Sequence, residues 1–329
     1  MSENIKYIIN PHLNVIRISS NELLIKHSMN SVYSKIIEDE SCSGLLSKIF
    51  DFFSKENEIE DFFNISQDVF SKKEEIQSFI EQCIDSNLLV DSKSDTLLNY
   101  LKIHYENVDE RTSEITIGII GFGKLGNALI EKLISLHFNK FVIANDKKIT
   151  ENKFDEFIEN SFSYETEDLR ELIKKSDFIV CGQDFLRSNL FHRINSICIE
   201  EIKSWIIAFV DGSECNIGPM FIPNETSCYN EYEIQTEASL PISNRRDASI
   251  YKEYMEKAEG NLSLPTYYDI TASLLATETF KFLKTGKSNL LNASMKMDFE
   301  TMEIDYINIL KLPRCPACEN HSGFKNMFL

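Results

Sequence analysis

The stretch from Ile115 to Asp146, ITIGIIGFGKLGNALIEKLISLHFNKFVIAND, constrains the fold more than any other part of the chain. Ile115, Ile117, Ile119 and Ile120 form a short β-rich run, and Gly121, Gly123 and Gly126 follow at G-x-G-x-x-G spacing. Leu125, Leu129, Leu133 and Leu136 then recur at helical spacing. Phe141 to Ala144 reads as a second strand, ending at Asn145 and Asp146. The glycines have separate tasks: a tight turn, room for a phosphate against the backbone, and close packing of helix on strand. The helix N-terminus is a site for an anion, and an acid about 20 residues on suits a ribose hydroxyl. The pattern predicts a Rossmann-type unit. A scaffold that kept its turn and lost its nucleotide would show the same glycines.

At 329 residues the chain is long enough for two domains. A formal charge of -18 excludes nucleic acid as the expected partner, because phosphates would be repelled. No run approaches the ~18 apolar residues of a membrane span, and MSENIKY lacks the apolar stretch of a signal peptide. A cytoplasmic protein with no membrane partner is therefore expected. Its eight cysteines read as reduced thiols or metal ligands.

Before the glycine turn come three β-type runs, Lys6 to Asn10, Asn14 to Ile18 and Glu22 to His27. Helical patterns follow. Leu46, Ile49, Phe50 and Phe53 share a face, and Ile59, Phe62 and Phe63 continue the theme. Ile76, Phe79, Ile80 and Cys83 fall at i, i+3, i+4 and i+7. Leu88 to Val90 closes the segment as a strand. This describes a small winged-helix-like α+β domain over residues 1–92. A DNA reader would want basic residues on its recognition helix; here Glu74, Glu75, Glu81 and Asp85 outweigh Lys72 and Lys73. A peptide reader would offer a strand edge beside a groove.

In its opening P-H-L-N-V, its strands, its G-L-L-S-K-I-F helix and its I-D-S-N-L-L ending, this segment resembles the RiPP recognition element, the PqqD-like domain that holds leader peptides. The resemblance implies a leader added as a strand along Glu22, Leu23, Leu24, Ile25, Lys26 and His27, with its apolar side chains against Ile76, Phe79 and Cys83. Those last three could equally fill the domain's own core. Polar residues at 92–95 and 109–113 flank a short helical pattern, Leu97, Leu98, Leu101 and Ile103. The domain boundary is placed there, with 93–113 as a linker and 114–329 as the second domain.

In the second domain, a charged helical region leads to Leu169, Leu172 and Ile173, and strand and helix then alternate. Strands are expected at Asp177 to Cys181 and Trp205 to Val210, with a helix from Leu190 to Ile199 between them. The sheet should be largely parallel, with a ligand at the C-terminal strand ends. Asp146 and Asp184 sit at such ends. They are candidate ribose and Mg²⁺ partners, or solvated turn residues. Cys315 and Cys318 form a C-x-x-C knuckle that can reach one tetrahedral zinc. Cys228 is placed by pattern to join them, with Glu231, Cys215 and His321 competing for the fourth position. Cys42, Cys83, Cys181 and Cys198 lie in apolar runs and read as small buried hydrophobes. The six histidines suggest no catalytic arrangement.

The order of glycine turn, post-strand acid, G-P-M-F-I-P-N-E-T-S-C-Y at 218–229 and closing C-P-A-C resembles the ThiF/MoeB family over Ile115 to Cys318. The helix from Ile270, and alternating Met295, Met297 and Phe299, fit the same pattern. With the recognition element and L-P-R-C-P-A-C, the chain looks most like the partner subunit of azoline-forming cyclodehydratases. That resemblance implies leader-peptide binding, a YcaO partner, a flavin dehydrogenase as a further partner, a structural Zn²⁺ and a homodimer. Two departures bear on chemistry. Residues 147–154 hold no arginine to grip a triphosphate, and the family's Asp-Asn pair appears as Asp184-Phe185. Without those groups, charge developing on phosphorus loses most of its stabilisation. ATP and Mg²⁺ are therefore doubtful on this chain, and Gly121, Gly123, Gly126, Asp146 and Asp184 read as a vestigial nucleotide site with no catalytic residue. The rivals are an adenylating enzyme acting on a peptide carboxylate or amide, and an NAD(P)-linked reductase, against which the C-P-A-C knuckle and the N-terminal domain argue.

Overall fold

The computed structural model describes residues 5–40, 43–65, 72–109, 114–146, 153–258 and 263–318. The chain divides into two compact units, Met1–Glu110 and Arg111–Leu329.

The first unit holds two three-stranded sheets. In one, β1 (Lys6–Ile9) lies between β5 (Asn57–Glu58) and β6 (Leu89–Asp91). In the other, β3 (Glu22–Lys26) lies between β2 (Asn14–Arg17) and β4 (Ser34–Glu38), antiparallel to both. Alternation along β3 buries Leu23 and Ile25. Helix Leu45–Phe52 adds Leu46, Ile49 and Phe50 to the same core, and helix Lys73–Asp85 adds Ile76, Ile80 and Cys83. The core is thus one apolar stripe per helix against one sheet face.

Two features differ from the sequence expectation. The first run leaves its neighbours and pairs with the distant β5 and β6. The second is β4, which no periodicity announces: S-K-I-I-E places two isoleucines side by side and does not alternate. Its presence corrects the proposed peptide site. Glu22 to Lys26 is paired on both sides, so no added strand can lie beside it. His27 falls past the strand end and its ring Nδ1 donates to the His12 carbonyl at 2.8 Å. Helix Thr96–His104, expected within the linker, belongs to the first unit. The Asp95 carboxylate caps it by accepting from Leu97 N at 2.8 Å, and Ile103 joins the first core.

That helix brings Tyr100 and His104 to His12 and His27, with four ring pairs at centroid separations of 5.3–5.6 Å. Burial, then the neighbouring His27, lowers the pKa of His104 below its usual 6.5. A base whose folded pKa is depressed is taken up by protons first in the unfolded chain. Stability is therefore full above about 6.5 and declines as the pH falls below it. Denaturant melts between pH 8 and 5 should show this decline, and His104→Asn should flatten it; an unchanged slope in the variant contradicts the assignment.

The second unit is built on an eight-stranded sheet, ordered β14-β13-β12-β11-β10-β7-β8-β9. These are β7 (Thr116–Ile120), β8 (Lys140–Ala144), β9 (Ile158–Phe162), β10 (Phe178–Gln183), β11 (Trp205–Asp211), β12 (Glu214–Phe221), β13 (Ala293–Asp298) and β14 (Glu303–Asn308). The five strands from β11 to β9 run parallel, and β12 to β14 extend the sheet antiparallel. Parallel strands covered on both faces read as unbroken apolar runs, as β10 does, buried throughout. Helices Thr166–Lys175 and Ser188–Glu200 bury Leu169, Leu172, Phe191 and Ile194 against one face, while helices Lys124–Ser135 and Pro265–Thr285 pack on each other. The edge strand β9 was not expected; its I-E-N-S-F carries apolar residues only at its ends. The chain proceeds outward from β7 through β8 and β9, then returns to place β10 on the other side. The switch point of the sheet is thus the crevice at the C-terminal ends of β7 and β10.

Candidate functional site

The switch point holds the glycine turn. Gly121 adopts φ +109°, and a Cβ there would collide with the Gly182 carbonyl and the Gln183 amide. A Cβ on Gly126 would strike the Gly121 carbonyl, so this glycine sets the helix–strand distance. Gln183 Nε2 donates to Ile120 O at 2.9 Å across the two strands, and Asn145 Oδ1 accepts from Phe122 N at 3.2 Å.

What fills the crevice is the chain's own acid. Asp184 Oδ2 accepts from Lys124 N and Oδ1 from Leu125 N, each at 2.8 Å. These are the first N–H groups of helix Lys124–Ser135, the donors a phosphate would use. A Cβ on Gly123 would strike the Asp184 carboxylate, so the gap opened by that glycine is taken. The second candidate acid is also engaged. Asp146 pairs with Arg187 at 3.0 Å, and that guanidinium stacks over Phe185 at 4.5 Å. The stretch at 147–152 lies outside the described residues. Gly121, Gly123, Gly126, Asp146 and Asp184 are therefore brought together, but both acids are engaged by the chain itself, Asp184 in a helix cap and the exposed Asp146 in an ion pair. Sequence reasoning missed Arg187 because forty-one residues separate it from Asp146. Removing the cap should cost about 1–2 kcal/mol. Asp184→Ala is expected to lower the midpoint of denaturant unfolding accordingly, and an unchanged midpoint contradicts the capping role.

At the other end of the second unit, Cys228, Glu231, Cys315 and Cys318 converge, with their ligand atoms all within 4.8 Å of one another. Cys228 N-caps helix Tyr229–Ser239, and Glu231 closes a capping box on it. Glu231 is fully buried; its Oε2 accepts from Cys228 N at 2.7 Å and its Oε1 from Leu312 N at 2.6 Å, which ties the closing segment to the helix. Two of the separations match the edges of a zinc tetrahedron. Bonds of about 2.3 Å to sulfur and 2.0 Å to oxygen imply edges of about 3.8 Å between sulfurs and about 3.5 Å from sulfur to oxygen. Cys228 Sγ lies 3.7 Å from Cys315 Sγ, and Cys318 Sγ 3.5 Å from Glu231 Oε2. Burial pushes the Cys228 thiol up to about 11 and raises Cys318 as well. Burial would raise Cys315 too, but N–H groups of Ala317 and Cys318 aimed at its sulfur bring it below its ordinary value. Three thiolates and a carboxylate in this volume repel one another unless a cation joins them. Cys215 lies apart in β12 beside Thr271 and does not join the cluster. His321 lies outside the described residues, as does Cys42. Cys83, Cys181 and Cys198 are buried, with thiol pKa values raised by burial.

In the first unit, a groove of about 750 Å³ opens beside β4. Its walls include Ile37, Leu46 and Ile49, and Ile76 and Phe79 of helix Lys73–Asp85. Phe79 is half-buried at the surface of the groove, whereas Cys83 is core and does not line it. Asp39 N donates to Asn21 O at 2.7 Å, in register with the β3–β4 pairs. By the alternation of an antiparallel ladder, Ile37 and Lys35 then bond to β3. Ser34, Ile36 and Glu38 direct their N–H and C=O groups to the outer edge, where β4 pairs with no strand among the described residues.

An eight-stranded, mostly parallel sheet with a glycine turn at its switch point defines a Rossmann-type α/β protein. The chain belongs to the ThiF family, whose model matches residues 142–319, more than half of its length. No curated protein matches the sequence. Among solved structures, E. coli MccB with ATP superposes with a TM-score of 0.63 at 16% identity, covering 96% of this chain and 100% of MccB. The microcin C7 biosynthetic enzyme MccB in complex with N-formylated MccA gives the same TM-score, 0.63, at 16% identity and the same coverage, 96% and 100%. A heterocyclase in complex with substrate and cofactor gives a TM-score of 0.68 at 13% identity; it covers 95% of this chain, which spans 39% of the heterocyclase. At these identities the shared property is the fold. No helix among the described residues is long and apolar enough to cross a membrane.

Proposed function

We propose that this chain is the leader-peptide-binding, partner-activating subunit of an ATP-dependent YcaO cyclodehydratase, which makes thiazoline or oxazoline rings in a ribosomally made, bacteriocin-type peptide. The observation that carries the reading is the outer edge of β4, which pairs with no strand among the described residues, above an apolar groove. The first unit acts as a winged-helix-like recognition domain, and the leader adds to β4 as a strand, its apolar side chains resting on Ile37, Ile76 and Phe79. The second unit holds a structural zinc on Cys228, Cys315, Cys318 and Glu231. It docks the YcaO subunit, which uses ATP to activate a backbone amide while Cys, Ser or Thr side chains close onto it. The chain's own contribution is effective concentration, since a tethered precursor meets the partner as a near-intramolecular substrate. The heterocyclase likeness supports this division of labour, because this chain spans only 39% of that protein. A homodimer formed through the ThiF-like unit, a cytoplasmic setting and a flavin dehydrogenase acting on the finished rings complete the reading.

The test is to search the genes beside this one for a YcaO protein and a short Cys/Ser/Thr-rich peptide, and to titrate that peptide by fluorescence polarisation. Saturable binding by the full chain, lost in Phe79→Ala, is expected, with rings formed only when the YcaO protein is added. Binding unaffected by Phe79→Ala overturns it.

A second reading, a peptide-adenylating enzyme, is favoured by the end-to-end likeness to MccB with ATP. The engagement of Asp184 and Asp146 speaks against it. Pyrophosphate exchange by the isolated chain on ATP and peptide is expected to be absent, and measurable exchange would restore this reading.

A further inference from the structure

We infer that the ligand of the β4 groove is a basic, extended peptide segment, with Lys or Arg interleaved among its apolar anchors; the inference rests on the leader-binding reading above. The floor of the groove is apolar, but its rim is not neutral. Glu38, Asp39, Glu40 and Glu75 all line it, and among the described residues no Lys or Arg does. Asp39 is used by the fold, accepting from Ser43 Oγ at 2.9 Å and Gly44 N at 3.0 Å. Glu38, Glu40 and Glu75 are exposed, and their carboxylates make no ion pair or hydrogen bond among the described residues.

Two lysines on the flanking elements are turned to other tasks. Lys35, the one lysine on β4, lies over the Tyr33 ring at 5.4 Å, and Lys73 lies over Phe63 at 5.1 Å. The unspent acids therefore flank the strand edge on both sides, Glu38 and Glu40 from β4 and the turn after it, and Glu75 from the facing helix. A peptide seated there has its backbone held by Ser34, Ile36 and Glu38, and its charges meet three carboxylates. An acidic peptide would add like charge beside an apolar surface, where screening is weaker than in open water. The chain's net charge of -18 acts in the same direction at longer range.

The experiment is a display selection of random twelve-residue peptides on the full chain, counter-selected against Phe79→Ala and, as a second groove variant, Ile36→Pro. Peptides that depend on the groove are expected to be net positive with alternating apolar residues. One such peptide should bind roughly tenfold more weakly to Glu38→Gln/Glu75→Gln and should weaken as salt is raised. Groove-dependent peptides that are neutral or acidic overturn the charge inference and leave the leader-binding reading standing. If no selected peptide depends on the groove, that reading falls and the inference falls with it.

Discussion

Replacing Ile36 by proline should abolish most peptide capture while leaving the protein folded. The N–H of Ile36 points to the open edge of β4, so proline removes no bond to β3, and edge strands tolerate it at such positions. It does remove a donor that an added strand needs, and its ring obstructs close pairing. The lost bond and the strain are worth about 1–3 kcal/mol, a roughly 10- to 100-fold weaker Kd. Ile37→Pro is the contrasting variant. Its N–H bonds to Leu23 of β3, so the substitution should destabilise the first unit by about 3 kcal/mol or more. Polarisation titrations and thermal melts on both variants separate the two effects. An Ile36→Pro protein that binds peptide as the unchanged chain does would place the ligand elsewhere.

The second large effect concerns the thiol cluster. The purified chain is expected to carry one zinc per molecule, and Cys315→Ser should lose it. Structural zinc sites contribute on the order of 10 kcal/mol of apparent binding free energy, and the unit that holds this one has roughly two hundred residues, for which 1 kcal/mol moves Tm by about 2–4 °C. Chelation or Cys315→Ser should therefore lower Tm by roughly 10 °C or more. Glu231→Gln tests the fourth position: it keeps an oxygen that can accept a backbone N–H but weakens the metal site. Metal analysis that finds no zinc, with a Tm indifferent to chelator, would contradict the assignment.

How much of this was legible depended on how local each signal is. The glycine turn, its helix and β8 are encoded within thirty-two residues, and the structure follows that reading closely. Cys315 and Cys318 were legible because a knuckle is a four-residue motif; Cys228 needed the order of segments along the whole unit. Strand β4 was hidden because Ile36 and Ile37 sit side by side and only Ile37 faces inward. That omission placed the expected peptide edge along Glu22 to His27, whose strand is already paired on both sides. The engagement of Asp184 could not be read either, since the helix it caps begins sixty residues earlier. Glu231 read only as one of three candidates for the fourth metal position. Its burial and its bonds to Cys228 and Leu312 show a residue that holds the cluster's two segments together.

The most direct test of peptide capture is hydrogen–deuterium exchange of the full chain with and without a groove-dependent peptide. Slowed exchange at residues 34–39, with a smaller effect along helix Lys73–Asp85, is the predicted result. Protection confined to residues 121–126 and 182–187 would contradict it, because the ligand would then occupy the switch point of the sheet and leave the strand edge free.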